Sequence, residues 1–99
     1  MSEFRSKCYK ELIKVPKGKV TTYSELAKAV GTKAVRAVGT AMAKNEKLIE
    51  IPCHRVVKSD GSIGQYASGQ AKKIELLLEE GVPVENGKVA NFKEFLHLF

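Results

Sequence analysis

Residues 21–45, "TTYSELAKAVGTKAVRAVGTAMAKN", restrict what this chain can fold into more than any other stretch. Two short segments with helical apolar spacing meet at one glycine. Thr22 and Glu25 fit a capping box, in which a threonine side chain and a glutamate three residues later satisfy each other's orphan amides. Leu26, Ala29 and Val30 mark the buried face of the first helix, and Gly31 supplies a left-handed stop. Thr32 is placed to cap the second helix and Asn45 to end it. Two short helices joined this tightly form a helix-turn-helix pattern. The second is rich in small residues: Ala34, Ala37, Gly39, Thr40, Ala41 and Ala43. A mid-helix glycine costs about 1 kcal/mol relative to alanine. What the helix gains is close approach, either to a neighbouring helix or to an external partner. Arg36 stands out as a long charged side chain in the middle of that surface.

The flanking segments are consistent with one domain over residues 1–99. In "SEFRSKCYKELIKV", Phe4, Cys8 and Leu12 fall at i, i+4 and i+8, with Tyr9 and Ile13 alongside, which predicts an amphipathic helix ended by Pro16 and Gly18. Cys8 lies on the apolar stripe and reads as a small buried hydrophobe. "IEIPCHRVV" reads as an apolar strand with Pro52 interrupting it. Asp60-Gly61 predicts a short hairpin, with Asp60 engaged in turn chemistry, and "QYASGQ" is a polar loop. "QAKKIELLLEEG" predicts a helix with Ile74, Leu77 and Leu78 apolar, Lys73 a solvated charge in preference to a pocket-side cation, and Gly81 as the stop. Asn86-Gly87 predicts a second hairpin. "NFKEFLHLF" spaces Phe92, Phe95, Leu96 and Phe99 as a further short helix over 92–99. The fold class expected is mainly α with short β hairpins.

Charge is uneven along the chain. Residues 1–48 hold eleven Lys/Arg against four Asp/Glu, and residues 49–99 hold six against seven. The whole +6 therefore comes from the first half, which would give a face attractive to a polyanion or simply a solubilising surface. No apolar run approaches a membrane span. With two cysteines and no signal-peptide core, the expectation is a cytoplasmic chain with free thiols.

Cys53 sits between a proline and His54, followed by Arg55. Zinc needs four ligands, usually in two close pairs, and no second pair has that spacing, so no metal is expected. A histidine beside a thiol, with a carboxylate to orient it, is the material of an activated nucleophile. In a regular strand, however, neighbouring side chains point to opposite faces, so His54 would need a backbone bend or a bridging water. From this stretch alone, an inert core thiol and a nucleophile both stay open.

"GKVTTYSELA", "RAVGTAMAKN", "IPCHRVV", "GSIGQY" and "LLEEG" together resemble the O6-alkylguanine-DNA alkyltransferases, the methylated-DNA–protein-cysteine methyltransferase family. The five motifs stand in the family's order across most of residues 4–90, the part corresponding to its C-terminal catalytic domain. The resemblance implies a winged helix-turn-helix-like domain that repairs DNA by direct, irreversible transfer of an alkyl group from guanine O6 to Cys53. By position, His54 resembles the base acting through water, and Glu80 the carboxylate orienting it. Asn45 resembles the brace of the active-site turn. Tyr23 resembles the tyrosine that turns the nucleotide outward, and Arg36 the finger that fills its place. Ala37, Gly39 and Thr40 would lie against DNA, while Val56, Tyr66 and Ser68 would belong to the base pocket. The implied partner is double-stranded DNA gripped through the minor groove, about 6 Å wide, with little sequence preference. The protein would act as a monomer without a cofactor.

Three departures accompany the resemblance. Most members carry an N-terminal domain ahead of this one, so the sequence reads as a minimal member or as a domain of a larger fusion, with a fused or separate partner domain as the expectation in the second case. Ser68 replaces the usual glycine and would narrow the pocket. The segment 92–99 lies beyond the usual catalytic domain, and its Phe92, Phe95 and Phe99 are expected to cover apolar surface. The competing function is that of the alkyltransferase-like proteins, which bind O6-alkylguanine DNA without transfer and typically replace the acceptor cysteine.

Overall fold

The structure, a computed structural model, describes residues 3–46, 50–66 and 68–99. Helix α1 (Glu3–Leu12) buries Cys8, Tyr9 and Leu12, the stripe expected from their spacing. Ile13 lies outside the helix and is exposed. Strand β1 (Thr21–Thr22) leads directly into α2 (Tyr23–Ala29). The cap forms as read: the Glu25 amide donates to Thr22 Oγ1 at 3.0 Å. The fully buried positions of α2 are Leu26 and Ala27, with Ala29 and Val30 only partly covered.

Helix α3 (Val35–Ala43) starts later than its expected cap. Thr32 Oγ1 accepts from the Ala34 amide at 3.1 Å, closing a local turn rather than capping the helix. Val38, Ala41 and Met42 face inward, so Arg36, Ala37, Thr40 and Ala43 are left exposed on the other side. Buried Tyr9 donates its hydroxyl to the Ala41 carbonyl at 2.7 Å and fixes α1 against α3. These three helices form one core cluster, which also takes in Cys53 and Val56.

The expected strand at "IPCHRVV" is a 3-10 turn over Cys53–Arg55 followed by a two-residue strand, β2 (Val56–Val57). Strand β2 pairs in parallel with β1, Thr21 opposite Val56 and Thr22 opposite Val57. Consecutive strand residues point to opposite faces. Val56 accordingly enters the first cluster and Val57 a second one, with Val20, Ile63, Leu77, Val82 and Val89. The turn at Asp60 forms without paired strands of its own: Asp60 Oδ1 accepts from the Ser62 amide at 2.9 Å. Helix α4 (Gln70–Glu79) buries Lys73, Leu76 and Leu77, and Leu78 is exposed. A true hairpin follows, β3 (Val84–Glu85) antiparallel to β4 (Lys88–Val89). No helix among the described residues is long and apolar enough to cross a membrane.

The final helix, α5, covers only Phe92–Phe95, not 92–99. Beyond it the chain is extended, because backbone pairing with Val20 outweighs the helical spacing. Val20 donates to the Phe95 carbonyl at 2.8 Å, and His97 donates to the Val20 carbonyl at 2.7 Å. Phe92 and Phe95 pack on the second cluster, whereas Phe99 is 45% exposed. Phe92→Ala is therefore expected to destabilise the protein by about 2 kcal/mol, below the usual range for a fully buried ring. Phe99→Ala should stay within about 0.5 kcal/mol of wild type. Urea denaturation of the two variants checks this, and equal losses would refute the assignment of the tail's contacts.

Candidate active site

The site forms where the C-terminal end of α3, the 3-10 turn and the end of α4 meet. Cys53 is the first residue of that turn and is only 4% exposed. Asn45 does not end α3 through a left-handed backbone; its side chain turns inward. Its Nδ2 donates to the Ile51 carbonyl at 2.9 Å and lies 3.3 Å from Cys53 Sγ. One amide thus holds both the approach to the turn and the sulfur at its start. Burial pushes the Cys53 thiol up, while the bond from Asn45 and the charge of Lys73 pull it down.

His54 is fully buried, and its Nε2 lies 3.0 Å from Glu80 Oε2. Glu80 caps α4, and Gly81 then turns the chain in the left-handed region (φ 87°). That geometry leaves the carboxylate at the helix end, directed toward His54. Arg55 clamps the same carboxylate, from Nε to Oε1 at 2.9 Å and from one terminal nitrogen to Oε2 at 2.7 Å. Its other terminal nitrogen donates to the Val15 carbonyl at 2.9 Å. Burial works to raise Glu80, but the bonds from Arg55 and His54 hold it below the usual carboxylate value. His54 lies below the usual imidazole value because burial outweighs the pull of Glu80, with Arg55 and Lys73 adding to the depression. With Nε2–H donating to Glu80, Nδ1 is an acceptor, and it is buried with no hydrogen-bond partner among the described residues. A buried unpaired acceptor beside a thiol turn is a place for a proton to go.

Cys53 opens onto a groove of about 1000 Å³ lined by Tyr23, Arg36, Gly39, Thr40, Met42, Ala43, Lys58, Gln65 and Tyr66 as well. Tyr23, Arg36, Gly39, Thr40 and Tyr66 thus come together with Cys53 as the sequence suggested. Three expected residues do not: Val56 is fully buried in the core, and Ala37 and Ser68 are exposed outside the groove lining. For Val56 the reason is its pairing with β1, which points it inward. Ala67, in the same loop, lies outside the described residues.

Lys73 is completely buried, which overturns the solvated reading and leaves that of a pocket-side cation. Its Nζ donates to the Gln65 carbonyl at 3.1 Å and lies 6.0 Å from the centre of the Tyr23 ring. Burial depresses it from 10.5 to about 8, and the charge of Cys53 opposes that shift. Gly64 turns the loop beside it in the left-handed region, and the space there would admit a Cβ at ordinary contact distance. At φ 76°, a Cβ there would meet Lys58 Cγ, Tyr23 Oη and Lys73 Nζ at 3.7–3.8 Å. A basic residue at an inward position of α4, four residues after Gly69, is the only sequence signal that could have marked Lys73.

A helix-turn-helix pair packed against a buried, braced cysteine, with a histidine and a carboxylate paired behind it, defines an alkyltransferase fold. The chain belongs to the family of the 6-O-methylguanine DNA methyltransferase, DNA binding domain, which it matches over residues 3–82. A methylated-DNA–protein-cysteine methyltransferase of Saccharolobus solfataricus is 48% identical over 81 residues, 82% of this chain and 52% of that protein. The O6-methylguanine-DNA methyltransferase of Pyrococcus kodakaraensis superposes with a TM-score of 0.77 at 49% identity, covering 83% of this chain and 48% of that one. S. pombe Atl1, solved in complex with damaged DNA containing O6-carboxymethylguanine, superposes with a TM-score of 0.87 at 34% identity, covering 98% and 96%. The chain spans about half the length of the curated methyltransferases it matches.

Proposed function

We propose that this chain carries the catalytic part of the family's machinery and repairs O6-alkylguanine in duplex DNA by moving the alkyl group onto Cys53. The observation that carries this is the relay itself: a braced thiol, a histidine acceptor left unpaired, and a carboxylate holding that histidine from the far side. The Cys53 proton passes through a water to His54 Nδ1. The thiolate then attacks the alkyl carbon; a C–S bond forms, the C–O6 bond breaks, its electrons return to guanine, and guanine takes up a proton at N1 from solvent while His54 gives its own back to water. The product thioether does not turn over, so each molecule acts once. A guanine O6 inside the stack cannot reach a buried sulfur, so the nucleotide must be flipped out. Tyr23 and Arg36 on the groove wall are placed to assist that step, and the small outer face of α3 suits close approach to a narrow groove.

The test is an incubation with duplex containing O6-methylguanine, followed by intact and peptide masses. One methyl on the Cys53 peptide is expected, and tight binding with an unchanged mass would refute transfer. A further expectation concerns Arg36→Ala. Losing a side chain that stacks in the vacated space should slow transfer from duplex about tenfold, the equivalent of about 1.4 kcal/mol. Attack on the free base O6-methylguanine should be unaffected, and equal losses on both substrates would count against the finger role.

The near full-length match to S. pombe Atl1 favours a second reading, a lesion-gripping domain without transfer. The same mass measurement decides between the two.

A further inference from the structure

The relay gives Arg55 no part in moving the proton, yet Arg55 is held on two sides: by both oxygens of Glu80 and by the Val15 carbonyl ahead of β1. Glu80 Oε2 is therefore shared between the Arg55 guanidinium and His54 Nε2. We propose that Arg55 is a positioning residue acting through Glu80: it aims the carboxylate at His54 Nε2 and offsets its charge, so His54 rests neutral with Nδ1 ready to accept the Cys53 proton. This rests on the proposed role of His54 as the base.

A carboxylate bonded to an imidazole favours the imidazolium. If His54 were charged at rest, Nδ1 would carry a hydrogen and could only donate. A guanidinium forked onto both oxygens, itself held by Val15, places a compensating positive charge within bonding distance and fixes the plane of the carboxylate. The groups facing His54 are Lys73 from α4, Glu80 at its cap, Arg55 from its own turn, and the Tyr66 ring, edge-on at 6.4 Å, from the following loop. Glu80 alone among the charged ones favours the imidazolium, and Arg55 and Lys73 oppose it alongside burial.

The test follows the imidazole resonances of His54 with pH in the full chain, together with the rate at which iodoacetamide alkylates Cys53, a reaction that needs no DNA. In Arg55→Met the His54 midpoint is expected to rise, and in Glu80→Gln to fall. In Arg55→Lys, which keeps a charge but loses the fork, it should lie between wild type and Arg55→Met. The acid limb of alkylation should move with it, about tenfold in rate at a fixed pH below the limb for each unit moved. A merely structural arginine would not produce opposite shifts in the first two variants. An unmoved or lowered midpoint in folded Arg55→Met overturns the proposal; if that variant does not fold, the same result in Arg55→Lys does. A limb that follows Arg55 in a protein that never accepts methyl from DNA would refute the proposed function and leave this inference standing. Methyl transfer with an unmoved His54 would do the reverse.

Discussion

Cys53→Ser should take up no methyl from O6-methylguanine duplex at all, while binding that duplex within about twofold of wild type. Serine is close in shape, and its oxygen can accept the Asn45 Nδ2 bond that the sulfur now takes at 3.3 Å. Groove residues Tyr23, Arg36, Gly39 and Thr40 are untouched by the change. What is lost is nucleophilicity, since a thiol is partly ionised near neutral pH and a hydroxyl is not. Burial already makes the Cys53 thiol reluctant to ionise, so an alcohol in its place has no accessible anion. Intact mass after incubation reads the transfer, and a gel shift on the same duplex reads the binding. Residual methylation of the variant would mean that another nucleophile accepts the group. Cys8 is not placed to be such a nucleophile, because it is fully buried in the core cluster and does not line the groove. Loss of binding together with transfer would instead mean that the sulfur's main role is structural.

The parts of this site that are legible in the sequence are those settled by local chemistry. The Thr22–Glu25 cap needs partners three residues apart, and it places Tyr23 at the first position of α2 whatever the rest of the chain does. The small residues of α3 announce an approachable face before any partner is known. The relay is different. His54 and Glu80 are 26 residues apart, and only the resemblance joined them; periodicity places neither beside the other. The bend that frees His54 from strand alternation is a 3-10 turn after Pro52, which apolar spacing cannot reveal. Val56 was misplaced for the same reason: its direction is decided by parallel pairing with Thr21, a non-local contact. The tail shows competition of the same sort. Its aromatic spacing is helical, yet Val20 offers backbone partners and the chain leaves the helix at Leu96.

Lys73 yields the sharpest pH signature. Its ammonium is buried with the Gln65 carbonyl as acceptor and the Tyr23 ring nearby, and it titrates at about 8 in the folded protein against 10.5 for the unperturbed group. Between those two values the unfolded chain holds a proton that the folded one has released, so this group makes stability rise with pH across that window. Below about pH 8 the charged form is therefore a liability to the fold, of order 3 kcal/mol for the full shift. Lys73→Met keeps most of the length and removes the charge, and it leaves the Gln65 carbonyl short of one donor at about 1 kcal/mol. The variant should accordingly be more stable than wild type at pH 7 by about 2 kcal/mol, and by pH 10.5 the order should reverse, leaving it about 1 kcal/mol less stable. Transfer should move the other way. The Lys73 charge favours the Cys53 thiolate, so at pH 7 the variant should react more slowly, by about tenfold. As pH rises through about 8, wild type loses the same charge and the two rates should converge. Urea denaturation and single-turnover transfer across pH 6.5–9.5 would show both trends. A variant less stable than wild type at pH 7, or a rate ratio independent of pH, would mean that Lys73 is held as a structural donor and not as a cation for Cys53.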